Sequence, residues 1–219
     1  MRKPIVVVGA LGIISLASAY AQTTDFFELA RDGTPQDVQA AIDSGAKVNA
    51  GEEERQRTPL MFAAENDDPE VITTLLKAGA DLKAQDTYEV TALMYAAEYN
   101  QNPEVITTLL KAGANANAQD ENGVTSLMYA AAWNPKPEVV TTLLKAGADL
   151  KARDTVNDMT PLMYAAYYNP NPLVTTTLLK AGANAKAMDT RGKTAFDYAQ
   201  DRYALKGTDA LKQLEAASQ

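Results

Sequence analysis

The sequence predicts an all-α solenoid of about six helix-turn-helix units joined by short hairpin-like turns. The pattern Thr-x-Leu-Met-(Phe/Tyr)-Ala-Ala occurs four times, starting at Thr58, Thr91, Thr125 and Thr160. Each copy is followed by Leu-Leu-Lys-Ala-Gly-Ala, and successive copies lie 33 to 35 residues apart. The chain between one such glycine and the next threonine carries turn residues instead of helical periodicity. A period of that length is too short for a domain and is the mark of stacked units that bury their apolar faces only against one another.

The N-terminus reads as a targeting segment. Arg2 and Lys3 precede an apolar run from Ile5 to Ala17, and Ala19 and Ala21 flank Tyr20 in an Ala-x-Ala arrangement ahead of Gln22. That order is the order of a secretory signal peptide, residues 1–21, with cleavage expected after Ala21. An uncleaved signal anchor in the inner membrane is the alternative, since the apolar stretch approaches the length of a short span. No cysteine stands at the junction to carry a lipid.

The mature chain is acidic. Removing Arg2 and Lys3 from the total of 20 basic residues leaves 18 against 28 acidic ones. That balance opposes phosphate backbones, which need lysine and arginine to displace counterions, so no nucleic-acid partner is expected. It also disfavours anionic membrane surfaces, and no stable membrane insertion is expected once the signal is removed. The chain has no cysteine, so folding after export needs no disulfide. A bacterial periplasm is the expected address, with secretion beyond the cell second.

Each unit reads as two short helices. Thr58 suits an N-cap and Pro59 the first helical position, where a missing N–H costs nothing; Thr160 and Pro161 repeat that start. Leu60, Ala63 and Ala64 fall on one helical face. Pro69 starts the second helix and Glu70 suits its first turn. Ile72, Leu75 and Leu76 give that helix its apolar stripe, and Gly79 ends it in the positive-φ conformation that glycine adopts most cheaply. The second helix returns before Gly113, Gly147 and Gly182. None is long enough to be stable alone in water, so the leucine pairs require neighbours.

Asp120-Glu121-Asn122-Gly123 and Asp189-Thr190-Arg191-Gly192 read as tight turns. Asp86-Thr87-Tyr88-Glu89 fills the slot without glycine, and Thr155 to Met159 forms a finger one residue longer. The partly polar residues from Phe26 to Ala50 read as a first unit. Thr194 to Ala199, followed by Ala210, Leu211 and Leu214, reads as the last. The expected unit boundaries are 22–53, 54–86, 87–120, 121–154, 155–189 and 190–219, forming one repeat domain.

Asp120 to Ala131, Leu143-Leu144-Lys145-Ala146-Gly147-Ala148 and the Asn117-Ala118 pair together follow the order Asp-x-x-Gly-x-Thr-(Pro)-Leu-x-x-Ala-Ala, Leu-Leu-x-x-Gly-Ala, Asn-Ala. This arrangement resembles the ankyrin repeat, and the resemblance covers nearly all of the mature chain. Two departures stand out. The family's usual histidine is Met61, Met94, Met128 and Met163 here, which implies that its hydrogen bond is absent and that methionine fills the space without a polar group to satisfy. The usual Gly-His between helices is replaced by Asn- and Pro-rich loops such as Asn134-Pro135-Lys136-Pro137, read as stiffened turns.

The resemblance implies a non-catalytic module that binds a protein partner through a concave face made of turn tips and first-helix ends. Mapped onto this chain, the tips supply Tyr88, Val90, Val124, Val156 and Met159. The helix ends supply Glu98, Tyr99, Ala132, Trp133, Tyr167 and Tyr168, with Glu65 and Asn66 at the corresponding places in the second unit. Tyr99, Trp133 and Tyr168 recur one unit apart as a partner-binding aromatic ladder, because rigid aromatic faces dominate interface energetics. Phe62, Tyr95, Tyr129 and Tyr164 are read as packing residues between units. A monomer is expected. The alternative is a structural or chaperone-like spacer with weak, broad contacts.

Catalysis is the least favoured reading. With no histidine and no cysteine, Asp, Glu, Lys, Tyr, Ser and Thr are the only candidates for proton transfer or attack, and paired carboxylates could in principle serve a hydrolase. The recurring Asp86, Asp120, Asp154 and Asp189 are better explained as turn residues accepting backbone amides. No cofactor is expected. No metal is expected either, since imidazole and thiolate ligands are lacking and no calcium-loop pattern occurs. Lys77, Lys111, Lys145 and Lys180 near the second-helix ends oppose the helix dipole and solubilise the outer face.

Overall fold

A computed structural model describes residues 26–200, 202 and 204–219; the signal-peptide reading of 1–21 falls outside them. The chain forms helices α1 (26–32) and α2 (Pro35–Asp43), α3 (Pro59–Ala63) and α4 (Pro69–Lys77), α5 (Ala92–Tyr99) and α6 (Pro103–Lys111). It continues with α7 (Ser126–Trp133) and α8 (Pro137–Lys145), α9 (Pro161–Tyr168) and α10 (Pro172–Lys180), α11 (Ala195–Gln200) and α12 (Asp209–Ser218). This is an all-α solenoid of about six helix pairs. Among the described residues there is no strand, only isolated antiparallel bridges at Gln85–Thr91 and Gln119–Thr125.

The pairs stack in register. The first helices α3, α5, α7, α9 and α11 pack in one row, and the second helices α2, α4, α6, α8, α10 and α12 in another. From α5 onward the first-helix row is the more closely packed. Alanines at 63, 96, 97, 130, 131, 165 and 166 are fully or almost fully buried there and permit the close approach. The free side of that row therefore lies on the inside of the stack's curve. One continuous core runs through the molecule, with Leu60, Leu93, Leu127 and Leu162 from the first helices and Leu75, Leu109, Leu143 and Leu178 from the second.

Each helix start follows from its sequence. Thr91, Thr125 and Thr160 accept from the amide of the methionine three residues on. At Thr58 the hydroxyl has no partner within hydrogen-bonding distance. The methionines do more than fill space, which corrects the reading from sequence. Sδ of Met61, Met94 and Met163 each accepts at 3.4 Å from the backbone N–H of the capping threonine, giving a sulfur version of the capping box. Four second helices end at Gly79, Gly113, Gly147 and Gly182, with φ between 87° and 102°.

The Asn- and Pro-rich loops also do more than stiffen turns. Asn66, Asn100, Asn134 and Asn169 are buried and form a ladder along the stack. Asn134 Nδ2 donates to the carbonyls of Ala97 (3.0 Å) and Asn100 (2.8 Å) in the preceding unit. Its Oδ1 accepts from the Lys136 amide at 3.0 Å. Asn100 and Asn169 repeat the arrangement. The first helices α1, α3, α5 and α7 thus have carbonyls at or just past their C-terminal ends satisfied by the next unit, which is where helices otherwise leave orphan acceptors. Counting from the threonine pairs Asn66 with Tyr99, but its bonds to the carbonyls of Ala30 and Gly33 pair it with Asn100. The second unit is one residue short at that point.

Candidate functional site

The turn tips are closed by their aspartates. In the third unit Asp86 Oδ1 accepts from the amides of Tyr88 (2.8 Å) and Val90 (2.9 Å), while the Asp86 amide donates to the Val90 carbonyl at 3.1 Å. Asp120 treats Asn122 and Val124 in the same way. Gly123, at φ 76°, takes the left-handed position, and a Cβ there would lie 2.8 Å from the Thr155 amide of the next finger. Glu89 and Asp158 hold the equivalent positive-φ place at 63° without glycine. Successive tips are tied by amide-to-carbonyl bonds, Thr87 to Arg55, Glu121 to Tyr88, Thr155 to Asn122 and Thr190 to Asn157.

The second carboxylate oxygen takes a tyrosine. Tyr95 Oη donates to Asp86 Oδ2 at 2.7 Å, Tyr129 to Asp120 at 2.8 Å and Tyr164 to Asp154 at 3.0 Å; Tyr198 likewise donates to Asp189. Burial first, then these bonds, raises the phenols of Tyr95 and Tyr129 well above the usual tyrosine value, and burial with the nearby Asp154 charge does so for Tyr164. Sequence reasoning assigned these tyrosines to packing and the aspartates to backbone amides, and missed that they meet. The signal was present: Asp and Tyr recur nine or ten residues apart, and the one unit with Phe62 in place of tyrosine has no aspartate in its turn, where Glu52 accepts the turn amides.

That closure corrects part of the expected surface. Val90, Val124 and Met159 are buried in the core because pairing with the turn aspartate swings these positions inward. Ala132 is buried as well. Val90, Val124 and Ala132 do not line an accessible face, and Met159 shows only an edge. Tyr88, Tyr99, Trp133, Val156, Tyr167 and Tyr168 are exposed, between 37% and 60%, and Glu98 is half-buried. Burial raises the Glu98 carboxyl above the usual range, and burial pushes the Tyr99 phenol up to about 12.

The aromatic side chains form a strip in the C-terminal half. Trp133 lies 5.4 Å from Tyr129, 5.7 Å from Tyr168 and 6.5 Å from Tyr164 between ring centres. Tyr168 meets Tyr167 edge-on at 4.5 Å, and Tyr167 meets Tyr198 at 5.2 Å. Such tilted and edge-to-face geometries are the favoured ones for aromatic pairs. Tyr99 stands apart on Tyr95, at 6.4 Å.

Cations border the strip, and sequence reasoning did not assign them. The Arg57 guanidinium is sandwiched between the rings of Phe62 (4.0 Å) and Tyr95 (4.1 Å) and pairs with Glu65. Arg55 lies 4.6 Å over Tyr88. At the other end Arg202 lies 5.1 Å over Tyr167 and Lys193 5.5 Å over Tyr198. These are cation–π distances. Lys193 occupies the slot of Val90, Val124 and Met159, and its change of type in the last unit was the available clue.

The buried turn aspartates that a hydrolase would have needed are committed to backbone amides and tyrosine hydroxyls, as befits a non-catalytic scaffold. Among the described residues no group of three or more acidic side chains is placed to hold a metal, and no helix is long and apolar enough to cross a membrane. A family model described as ankyrin repeats in three copies matches residues 26–120, 79–154 and 127–214. Comparison with curated proteins gave no match.

Proposed function

The chain belongs to the ankyrin-repeat family, and from that premise we propose that it is an exported bacterial protein-binding module whose inner face engages a protein in the cell envelope. One observation carries the reading. Tyr99, Trp133, Tyr167 and Tyr168 stand exposed at the ends of consecutive first helices, on a scaffold whose buried polar groups are otherwise almost all satisfied. Aromatic side chains held in place by their neighbours bind with little loss of rotamer freedom and are enriched among interface hot spots. The four rest against the rings of Tyr95, Tyr129, Tyr164 and Tyr198 yet keep between 37% and 55% of their surface exposed, whereas the ends of the second helices carry exposed lysines.

Binding by such a face shields, inhibits or scaffolds the partner. Export rests on the order of Arg2-Lys3, the apolar run and Ala19-Tyr20-Ala21. A photo-crosslinking amino acid placed at Tyr99 or Tyr168 in the natural host tests both points. Discrete adducts in the periplasmic fraction, on a chain whose mass begins near Gln22, are expected. The same probe at Lys111 should give none. Adducts from Lys111 alone would move the working face to the second helices, and an intact Met1 in the membrane fraction would replace export with anchoring.

A further inference from the structure

At the C-terminal end of the inner face a depression of about 310 Å³ has Tyr167, Tyr168, Arg191, Lys193, Asp197 and Tyr198 in its lining. We propose that it receives the carboxylate side chain of an extended acidic segment of the partner, flanked by apolar residues that lie on Tyr168 and Trp133. The proposal rests on the inner-face reading above and gives that face a polarity and a ligand chemistry.

Charge complementarity carries it. The chain as a whole has 28 acidic against 20 basic residues, yet among the described residues three cations, Arg191, Lys193 and Arg202, stand at the tyrosine rings here against two carboxylates, Asp189 and Asp197. Arg191 Nε reaches Asp189 Oδ2 at 3.3 Å and one terminal nitrogen bonds Tyr198 Oη, while the other terminal nitrogen has no hydrogen bond among the described residues. Lys193 Nζ and the Arg202 guanidinium contact rings and make no hydrogen bond or ion pair among the described residues. Of the two carboxylates among the described residues here, Asp197 lines the pocket and Asp189 lies behind it, and both already accept hydrogen bonds. Asp197 Oδ2 accepts from the amide and hydroxyl of Thr194, both at 2.7 Å. Asp189 is buried behind the pocket and accepts from the amides of Arg191 (2.9 Å) and Lys193 (2.8 Å) as well as from Tyr198. Both stay ionised. The bonds from Thr194 hold Asp197 below the usual carboxylate range, and for Asp189 the tyrosine and amide bonds outweigh burial.

A terminal unit needs polar side chains where no further unit covers it. That requirement explains why Lys193 replaces an apolar residue, but it is indifferent to sign, and an acidic chain would meet it as well with glutamate. Three cations around two tyrosine faces, with Trp133 at 5.7 Å from Tyr168 continuing the apolar track, fit a carboxylate with apolar neighbours. The opposite end of the face holds the half-buried Glu98 beside the Glu65–Arg57 and Asp86–Arg55 pairs, where carboxylates outnumber cations, so an acidic segment is oriented with its carboxylates toward α11.

The test uses the full mature chain and its only tryptophan, Trp133, as the fluorescent reporter. The probes are an acetylated, amidated hexapeptide of alternating leucine and glutamate, its leucine–glutamine counterpart, and the leucine–glutamine peptide with a free C-terminal carboxylate. The glutamate peptide should bind at least tenfold more tightly than the amidated glutamine one, with a preference that shrinks as salt is raised. Lys193→Gln combined with Arg202→Gln should abolish that preference. Among the described residues neither side chain makes a hydrogen bond or ion pair with the fold, only ring contacts, and unchanged melting checks that the cap is intact. Equal binding of the two amidated peptides, no binding of the glutamate peptide, or a preference that survives the double substitution would overturn the proposal. Glutamate-like binding by the free-carboxylate peptide would also overturn it, assigning the pocket to a chain terminus. Any of these results with inner-face crosslinking retained removes only the acidic pocket; loss of the crosslinks removes the protein-binding reading itself.

Discussion

The joints between units and the inner ends of the first helices behave oppositely along the stack. At the joints the same side chains recur: the leucines at 60, 93, 127 and 162, the methionines beside them, and the asparagines at 66, 100, 134 and 169. At the inner ends the residues change from Glu98-Tyr99 to Ala132-Trp133 to Tyr167-Tyr168. A joint position must fit both the unit before and the unit after, and each buried donor must find its acceptor, so one solution is copied. The last side chain of each pair, Tyr99, Trp133 or Tyr168, faces water and is bound by neither demand. Sameness within the chain therefore marks the fold, and difference marks what the fold presents.

The largest expected effects fall on the joints. Leu143→Ala should destabilise by roughly 2–5 kcal/mol, through lost transfer energy and the cavity left behind. Asn134→Ala should cost about 3 kcal/mol, since two buried carbonyls and one amide lose their partner together. Denaturant unfolding of each variant measures both, and values near zero would mean that the joints do not hold the stack.

Next come the tyrosine–aspartate closures. Tyr129→Phe should cost roughly 1–3 kcal/mol by leaving an oxygen of the buried Asp120 unpaired. The pH dependence has a defined sign. The folded-state values of Tyr95, Tyr99, Tyr129, Tyr164 and Tyr198 are raised, with Tyr99 and Tyr198 pushed up to about 12. Their contribution is complete below the ordinary value of about 10 and is lost as pH rises from there through the folded values. Melting temperature should hold from pH 8 to about 10 and then fall, less steeply in Tyr129→Phe than in the parent.

The smallest effect has the opposite sign. Thr175 takes the place held by Ile72, Ile106 and Val140, and its buried hydroxyl has no partner. Thr175→Val, of nearly equal shape, should stabilise by about 1 kcal/mol. A loss on thermal or denaturant unfolding would show that the hydroxyl is in use.

This contrast also explains what the sequence made legible. The helix pairs, their Thr and Pro starts and their Gly ends could be read because each signal is local and occurs several times. The asparagine ladder could not, because Asn beside Pro looks like ordinary turn chemistry until the preceding unit's carbonyls are in place. Tyr88, Tyr99, Val156, Trp133, Tyr167 and Tyr168 were placed on the surface by mapping the ankyrin resemblance onto this chain's residue count. Val90, Val124 and Met159 were misplaced because counting does not register that an aspartate carboxylate draws the end of the turn inward. The cations around Tyr167 and Tyr198 escaped notice because each sits in a slot whose meaning changes only in the last unit.

The central claim is that fold and binding occupy separate sets of residues, and the double variant Trp133→Ala, Tyr168→Ala tests it most directly when melting and partner capture are measured side by side. Loss of the exposed ring pair should cost only about 1 kcal/mol of stability, while capture from periplasmic extract weakens tenfold or more, a change of about 1.4 kcal/mol in binding. Lys77→Ala with Lys145→Ala should change neither. Capture undiminished by loss of the rings, or a collapse of the stack to the extent expected of Leu143→Ala, would contradict the account.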